Sequence, residues 1–166
     1  MDKQKGLSKS FYTWGTAILG LAFLAAGIFM FWQGWHTRSE VQASLIAEGL
    51  EVSDPQMLLE FENARAPEGV EVPTVLIDTA MEAHYQAEVI RTHTLAITDG
   101  KTYAELDRED PLRNTYITSV TLQTSLHLAH VSLEITRLII GMGVAFAGFG
   151  AYTLAIGLPL VRRAVL

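Results

Sequence analysis

The chain has 166 residues, 49 % of them hydrophobic, a formal net charge of −6 and no cysteine. Without thiols there are no disulfides, no thiolate metal sites and no cysteine nucleophile. Between residues 37 and 133 sixteen Asp or Glu stand against six Lys or Arg, an acidity that repels nucleic-acid phosphates.

The tail at 1–12 carries Lys3, Lys5 and Lys9 against Asp2. An uncharged apolar run follows at 15–32, long enough for a helix to cross a hydrocarbon core of roughly 30 Å. Phe11, Tyr12 and Trp14 at one end, with Trp32 and Trp35 at the other, have the amphipathic rings that favour headgroup zones. A first membrane helix is therefore expected over 13–35, with His36 as an interfacial anchor. The run exceeds the apolar core of a cleaved signal peptide, and Gln33-Gly34-Trp35-His36-Thr37-Arg38 lacks a small-x-small cleavage site. An uncleaved anchor is the expectation. Val41, Leu45, Ile46 and Leu50 recur at helical spacing, which extends the helix over 39–50.

The insert, 36–136, reads as a set of helices joined by loops. Asp54-Pro55 marks a cap and first turn for a short helix to about Arg65, and two prolines and a glycine make 66–73 a loop. Asp78 is the expected cap of a helix over 79–97 that stops at Asp99-Gly100. Thr102 and Glu105 have capping-box spacing for a turn or two through Arg108, and Asp110-Pro111 restarts the chain. From there to Val161 a single continuous helix is expected, whose outer part would extend roughly 39 Å at 1.5 Å per residue. In water that part needs cover for Leu112, Ile117, Val120, Leu126, Leu128 and Val131, and the helices over 79–97 and 39–50 are the expected source.

The second membrane helix, 137–161, is rich in small residues. Gly143 and Ala147, and Ala147 and Ala151, have the four-residue spacing that lets helix backbones approach closely, and the first span offers Gly20, Ala22, Ala26 and Gly27 in return. One reading is that the two spans pack together; the other is that a free face serves association, with Gly143, Ala147, Gly150 and Ala151 as its candidate residues. The helix ends at Arg162 and Arg163 in the tail at 162–166. Basic flanks at both ends keep both termini cytoplasmic and put the acidic insert outside. The fold class is thus all-α: a transmembrane hairpin with a helical extracytoplasmic insert, the second span continuous with a long protruding helix.

Two polar stripes carry the remaining candidates. His127, His130, Glu134 and Arg137 follow at three- and four-residue steps on one helix face, and His84, Glu88 and Arg91 do so on the preceding helix, with His93 close by. One reading is a hydrogen-bonded and ion-paired network including Arg91, His93 and Arg137. Another is a metal site of His84, Glu88, His127, His130 and Glu134, since imidazole and carboxylate one turn apart can share an ion. A third is axial ligation of a tetrapyrrole by His127 or His130. Arg91 and Arg137 would repel a cation, and the bundle di-iron pattern Glu-x-x-His is replaced here by His-x-x-x-Glu. No phosphate loop, Gly-x-Ser-x-Gly or His-Glu-x-x-His occurs.

Gly100-Lys-Thr-Tyr-Ala-Glu-Leu-Asp-Arg-Glu-Asp-Pro111 is the most distinctive segment. It reads as a capped connector, or as a docking patch centred on Tyr103 with Glu105, Asp107, Glu109 and Asp110 around it. With Ile90–His93 before it and Leu128–His130 leading into the glycine-rich span, residues 78–166 resemble a group of small bacterial two-span membrane proteins. Some of that group carry a ring-opening dioxygenase label. The resemblance implies the two-span architecture and a bacterial inner membrane; the label is not carried over, because no ligand set around an open iron position is specified. The expected role is a non-catalytic scaffold or accessory subunit in contact with lipid, with itself or with another membrane protein. The alternative is a metal- or pigment-binding accessory protein of an electron-transfer or photosynthetic complex.

Overall fold

The computed structural model describes residues 2–53 and 75–165, with side chains placed over 11–53 and 75–163. The helix expected to start at Asp54-Pro55 and the loop at 66–73 lie outside the described residues. The fold is all-α. Helix α1 runs Asp2–Ala47, α2 Ala80–Ile97 and α3 Leu112–Tyr152. A π-helical turn, Thr153–Gly157, follows, then α4, Leu158–Val165. Two helical stretches, Phe11–Ala47 and Leu112–Arg163, are long and apolar enough to cross a membrane.

The expected unbroken helix to Val161 is corrected by the π-helical turn. Pro159 has no N–H, and its ring crowds the carbonyl four residues back. The chain widens just before it, where the Leu158 N–H bonds to the carbonyl of Thr153. The Thr153 hydroxyl also donates to the Phe149 carbonyl at 2.8 Å, a second perturbation of the regular ladder.

The chain divides into two compact units, one of Met1–Thr37 with Thr136–Leu166 and one of Arg38–Ile135. In the second unit the core comprises Leu45 from the end of α1, Ala83, Tyr85 and Ala87 from α2, Leu126 and Leu133 from α3, and Val52 and Ile77 from the connecting segments. Those segments pair briefly. Val52 N–H donates to the Val75 carbonyl and Ile77 N–H to that of Leu50, around a bridge between Glu51 and Leu76. Gln86 fastens the pairing to α2, accepting from Ser53 N–H at 3.0 Å and donating to the Ser53 hydroxyl at 2.7 Å.

The connector after α2 follows from its capping residues. Asp99 and Gly100 take left-handed conformations, φ 52° and 76°, and the Gly100 N–H closes on the Leu95 carbonyl at 2.7 Å. The Glu105 carboxylate accepts from both the N–H and the hydroxyl of Thr102, each at 2.7 Å. These bonds, the backbone one foremost, hold its carboxyl below the usual range. One turn forms, but no helix continues through Arg108. Arg113 takes the Leu106 carbonyl at 2.7 Å, an acceptor a further turn would have used. The same guanidinium lies 3.9 Å from the centre of the Tyr103 ring, so that ring is engaged by its own chain. Asp110 Oδ1 then accepts from Leu112 N–H at 2.9 Å and opens α3 as expected.

Cover on the outer part of α3 is one-sided. Leu126 is buried and Leu112 half-buried, whereas Ile117, Val120, Leu128 and Val131 remain 42–67 % exposed. The expectation that all six are covered fails because α2 and the end of α1 occupy one face of α3, and these four lie on others. Leu126→Ala removes a side chain that is 1 % exposed, so a loss of about 2–5 kcal/mol is expected in reversible unfolding of the detergent-solubilised protein. Leu128→Ala should cost much less in the same assay.

Candidate functional site

Within the first unit α1 and α3 pack antiparallel along a seam of glycines. Gly20 faces Leu154 and Thr153, Gly27 faces the backbone of Ala147 and Gly143, and Gly34 faces Ile140. A Cβ added to Gly143 would lie 2.6 Å from the backbone nitrogen of Phe31 and 2.9 Å from the carbonyl oxygen of Gly27. On Gly150 it would meet the Gly20 carbonyl oxygen at 2.7 Å and the Leu24 backbone nitrogen. Real Cβ atoms do not come so close to backbone, so only glycine fits. Phe23 flanks the seam, edge-on to Phe146 and Phe149 with ring centres 5.5 and 5.1 Å away.

Of the four association candidates, Gly143, Ala147 and Gly150 therefore lie in a seam within one chain. Ala151 is exposed, and so are Gly141 and Gly148, neither of which has any atom within 4 Å of where a Cβ would stand. Of the residues the sequence offers on the first span, Gly20 and Gly27 lie in the seam, and the third glycine of the row, Gly34, is not among them. Gly20, Gly27 and Gly34 recur every seven residues, a period that keeps one face toward a neighbour, but a search for four-residue small-residue steps passes over it.

In the second unit the two polar stripes meet. Their registration starts at the entry to α2, which is capped by Thr79 rather than by Asp78 as expected. The Thr79 hydroxyl accepts from Glu82 N–H at 3.2 Å, and the Glu82 carboxylate accepts from the N–H groups of Asp78 and Thr79 at 2.9 Å each. Gln42 of α1 donates to the Asp78 carbonyl at 3.0 Å. From α3, His130 Nδ1 stands 2.8 Å from the Ala80 carbonyl. A carbonyl only accepts, so Nδ1 carries the hydrogen of this bond. His84 then lies between the histidines of α3, with ring centres 5.7 Å from His127 and 5.0 Å from His130.

The other stripe members are more open to solvent. Arg91 and His93 are exposed on α2, and Arg91 pairs with Glu88 at 3.6 Å across one turn, an exposed contact worth about 0.5 kcal/mol or less. Glu134 and Arg137 are also exposed, each engaged in a polar or electrostatic contact. Among the described residues no group of three or more His, Asp or Glu side chains is arranged to hold a metal ion. The three histidines form a ring cluster.

Asp78, at the entry to α2, is perturbed by its surroundings. Burial foremost, then the charge of Glu82 and a hydrogen bond with it, push its carboxyl above the usual value, with Arg38 opposing. Comparison with family models, with curated proteins and with solved structures gives no match.

Two outcomes are expected. Gly27→Leu drives a side chain into the backbone of α3 and should cost about 1–3 kcal/mol or more, read as a lower unfolding midpoint, while Gly148→Leu should leave that midpoint nearly unchanged. The folded state binds the Asp78 proton more tightly than the unfolded chain, so ionised Asp78 costs stability at neutral pH. That cost is relieved as pH falls through the raised value toward 3.8. Asp78→Asn should accordingly be more stable than the parent at neutral pH, with the difference shrinking on acidification.

Proposed function

We propose that the chain is a small integral subunit of the bacterial inner membrane, a scaffold or accessory protein without catalysis of its own. Only 11 % of each most apolar window is buried within the chain, so these helices turn apolar surface outward, which suits lipid rather than water. Trp14 and Trp32 are 67 % and 60 % exposed, and at 1.5 Å per residue they stand roughly 27 Å apart along α1, the separation of two headgroup zones. The basic flanks support cytoplasmic termini and the acidity of 37–133 an outer insert. The Gly100–Pro111 connector supports kinship with the bacterial two-span group it resembles.

The glycine seam carries the reading. Backbone-to-backbone packing makes α1 and α3 a stiff two-helix stem and spends Gly143, Ala147 and Gly150 inside the chain. Docking to lipid-embedded partners, whether copies of itself or another membrane protein, then falls to the open face at Gly141, Gly148 and Ala151 and to the acidic insert. With no native cysteine, single cysteines test the topology. A cysteine at Tyr103 should react with an impermeant maleimide in intact cells, and one at Arg163 only after permeabilisation; the reverse pattern overturns the orientation. Gly141→Leu with Gly148→Leu should shrink the native complex in mild detergent while the unfolding midpoint holds. An unchanged complex would remove that face from the assembly.

A second reading, a metal- or pigment-binding accessory protein, is favoured by the convergence of His127 and His130 on His84. It requires the rings to turn toward a common point. Equilibrium dialysis of pure protein against Zn²⁺, together with its visible spectrum, tests this. Stoichiometric uptake or an absorbance band lost in His84→Ala supports it, and neither in the parent rejects it.

A further inference from the structure

The outer part of α3 carries a second face that its own chain leaves open. Ile117, Thr121, Thr124, Leu128, Val131 and Ile135 follow at steps of four, three, four, three and four, and all six are exposed. The apolar members are 47–67 % exposed. The two threonines turn their hydroxyls into their own helix, onto the carbonyls of Ile117 at 2.9 Å and Val120 at 2.8 Å. What they leave at the surface is a methyl group. The row is therefore apolar along its whole length, on the side of α3 away from the buried Leu126 and Leu133.

Its charge environment is equally unusual. In the acidic stretch 37–133, residues 114–133 contain no Asp, Glu, Lys or Arg at all. The row itself therefore brings no charge to a partner, and the carboxylates lining its groove at Leu128 are Glu40 of α1 and Glu48 just beyond it, on one flank. The alternation of three and four is the period of a left-handed helix pair. α3 also continues as one helix to Tyr152, so a partner that follows it beyond the row is itself a helix that runs on into an apolar stretch. α3 of a second copy has that property, and two copies inserted with the same orientation place their α3 helices parallel.

We propose that the row Ile117–Ile135 on α3 is a self-association surface that pairs with the same row of a second copy, in parallel and in register about a two-fold axis. This rests on the membrane-subunit reading and names its partner. In such a pair each row residue meets its own counterpart, and residues between the rows do not.

The test is single-cysteine cross-linking in native membranes under mild oxidation. Cysteines at Thr124, Leu128, Val131 and Ile135 should give disulfide-linked pairs of this chain, at least tenfold more than cysteines at Gln123, Ala129 and Ser132. Cross-links absent throughout, or spread evenly over all seven positions, overturn the pairing. Photo-cross-links from Leu128 to other polypeptides and none to a second copy also overturn it, while the accessory-subunit reading stands. Because the row is exposed, these variants should retain the parent's helix content; Leu128→Glu should then abolish the disulfide at Val131 by setting two carboxylates together, and its persistence counts against the proposal.

Discussion

The close approach of two helix backbones is the constraint on which the unit of Met1–Thr37 and Thr136–Leu166 depends. On the membrane reading proposed above, apolar side chains gain little by meeting each other in lipid, so the helix pair is held by packing and short backbone contacts rather than by release of water. Gly20, Gly27 and Gly34 on α1 against Gly143, Ala147 and Gly150 on α3 provide that packing. Every larger residue in the seam would push the helices apart. Since the seam is internal, it sets a stem within one chain and leaves the small residues on the opposite side of α3 for other contacts.

The unit Arg38–Ile135 is organised by different means. There burial of Ile77, Leu126 and Val52, each 2 % exposed or less, provides the apolar drive. Polar bonds provide registration. Gln42 on the Asp78 carbonyl, His130 on the Ala80 carbonyl and Gln86 on Ser53 tie α1, α3 and the short paired segment to α2. Three histidines gather as a by-product of that registration or as its purpose, and the zinc and absorbance measurements separate the two.

Much of this was legible in the sequence, for definable reasons. The two long apolar helices follow from run length alone, and the stop at Asp99-Gly100 and restart at Asp110 follow from residue types with few alternative uses. The small residues of the seam were legible in part, Gly20 and Gly27 against Gly143 and Ala147, but their register and the role of Gly34 were not, because the period is seven and the two halves lie over a hundred residues apart. Thr79 took the cap from Asp78 because Glu82 stands three residues beyond it and completes a reciprocal box. The side of α3 that stays bare could not be read from periodicity, which shows that an apolar face exists but not how many neighbours there are to cover it. For the same reason the spacing of His84, His127 and His130 within their helices did not fix that the stripes meet; the bond to Ala80 does.

The most direct measurement of the central claim is the native mass of the complex extracted from its own membrane in mild detergent. The account predicts a mass containing an even number of these chains, alone or with further membrane polypeptides. A single chain with only detergent and lipid around it, at concentrations where membrane complexes survive extraction, would contradict it.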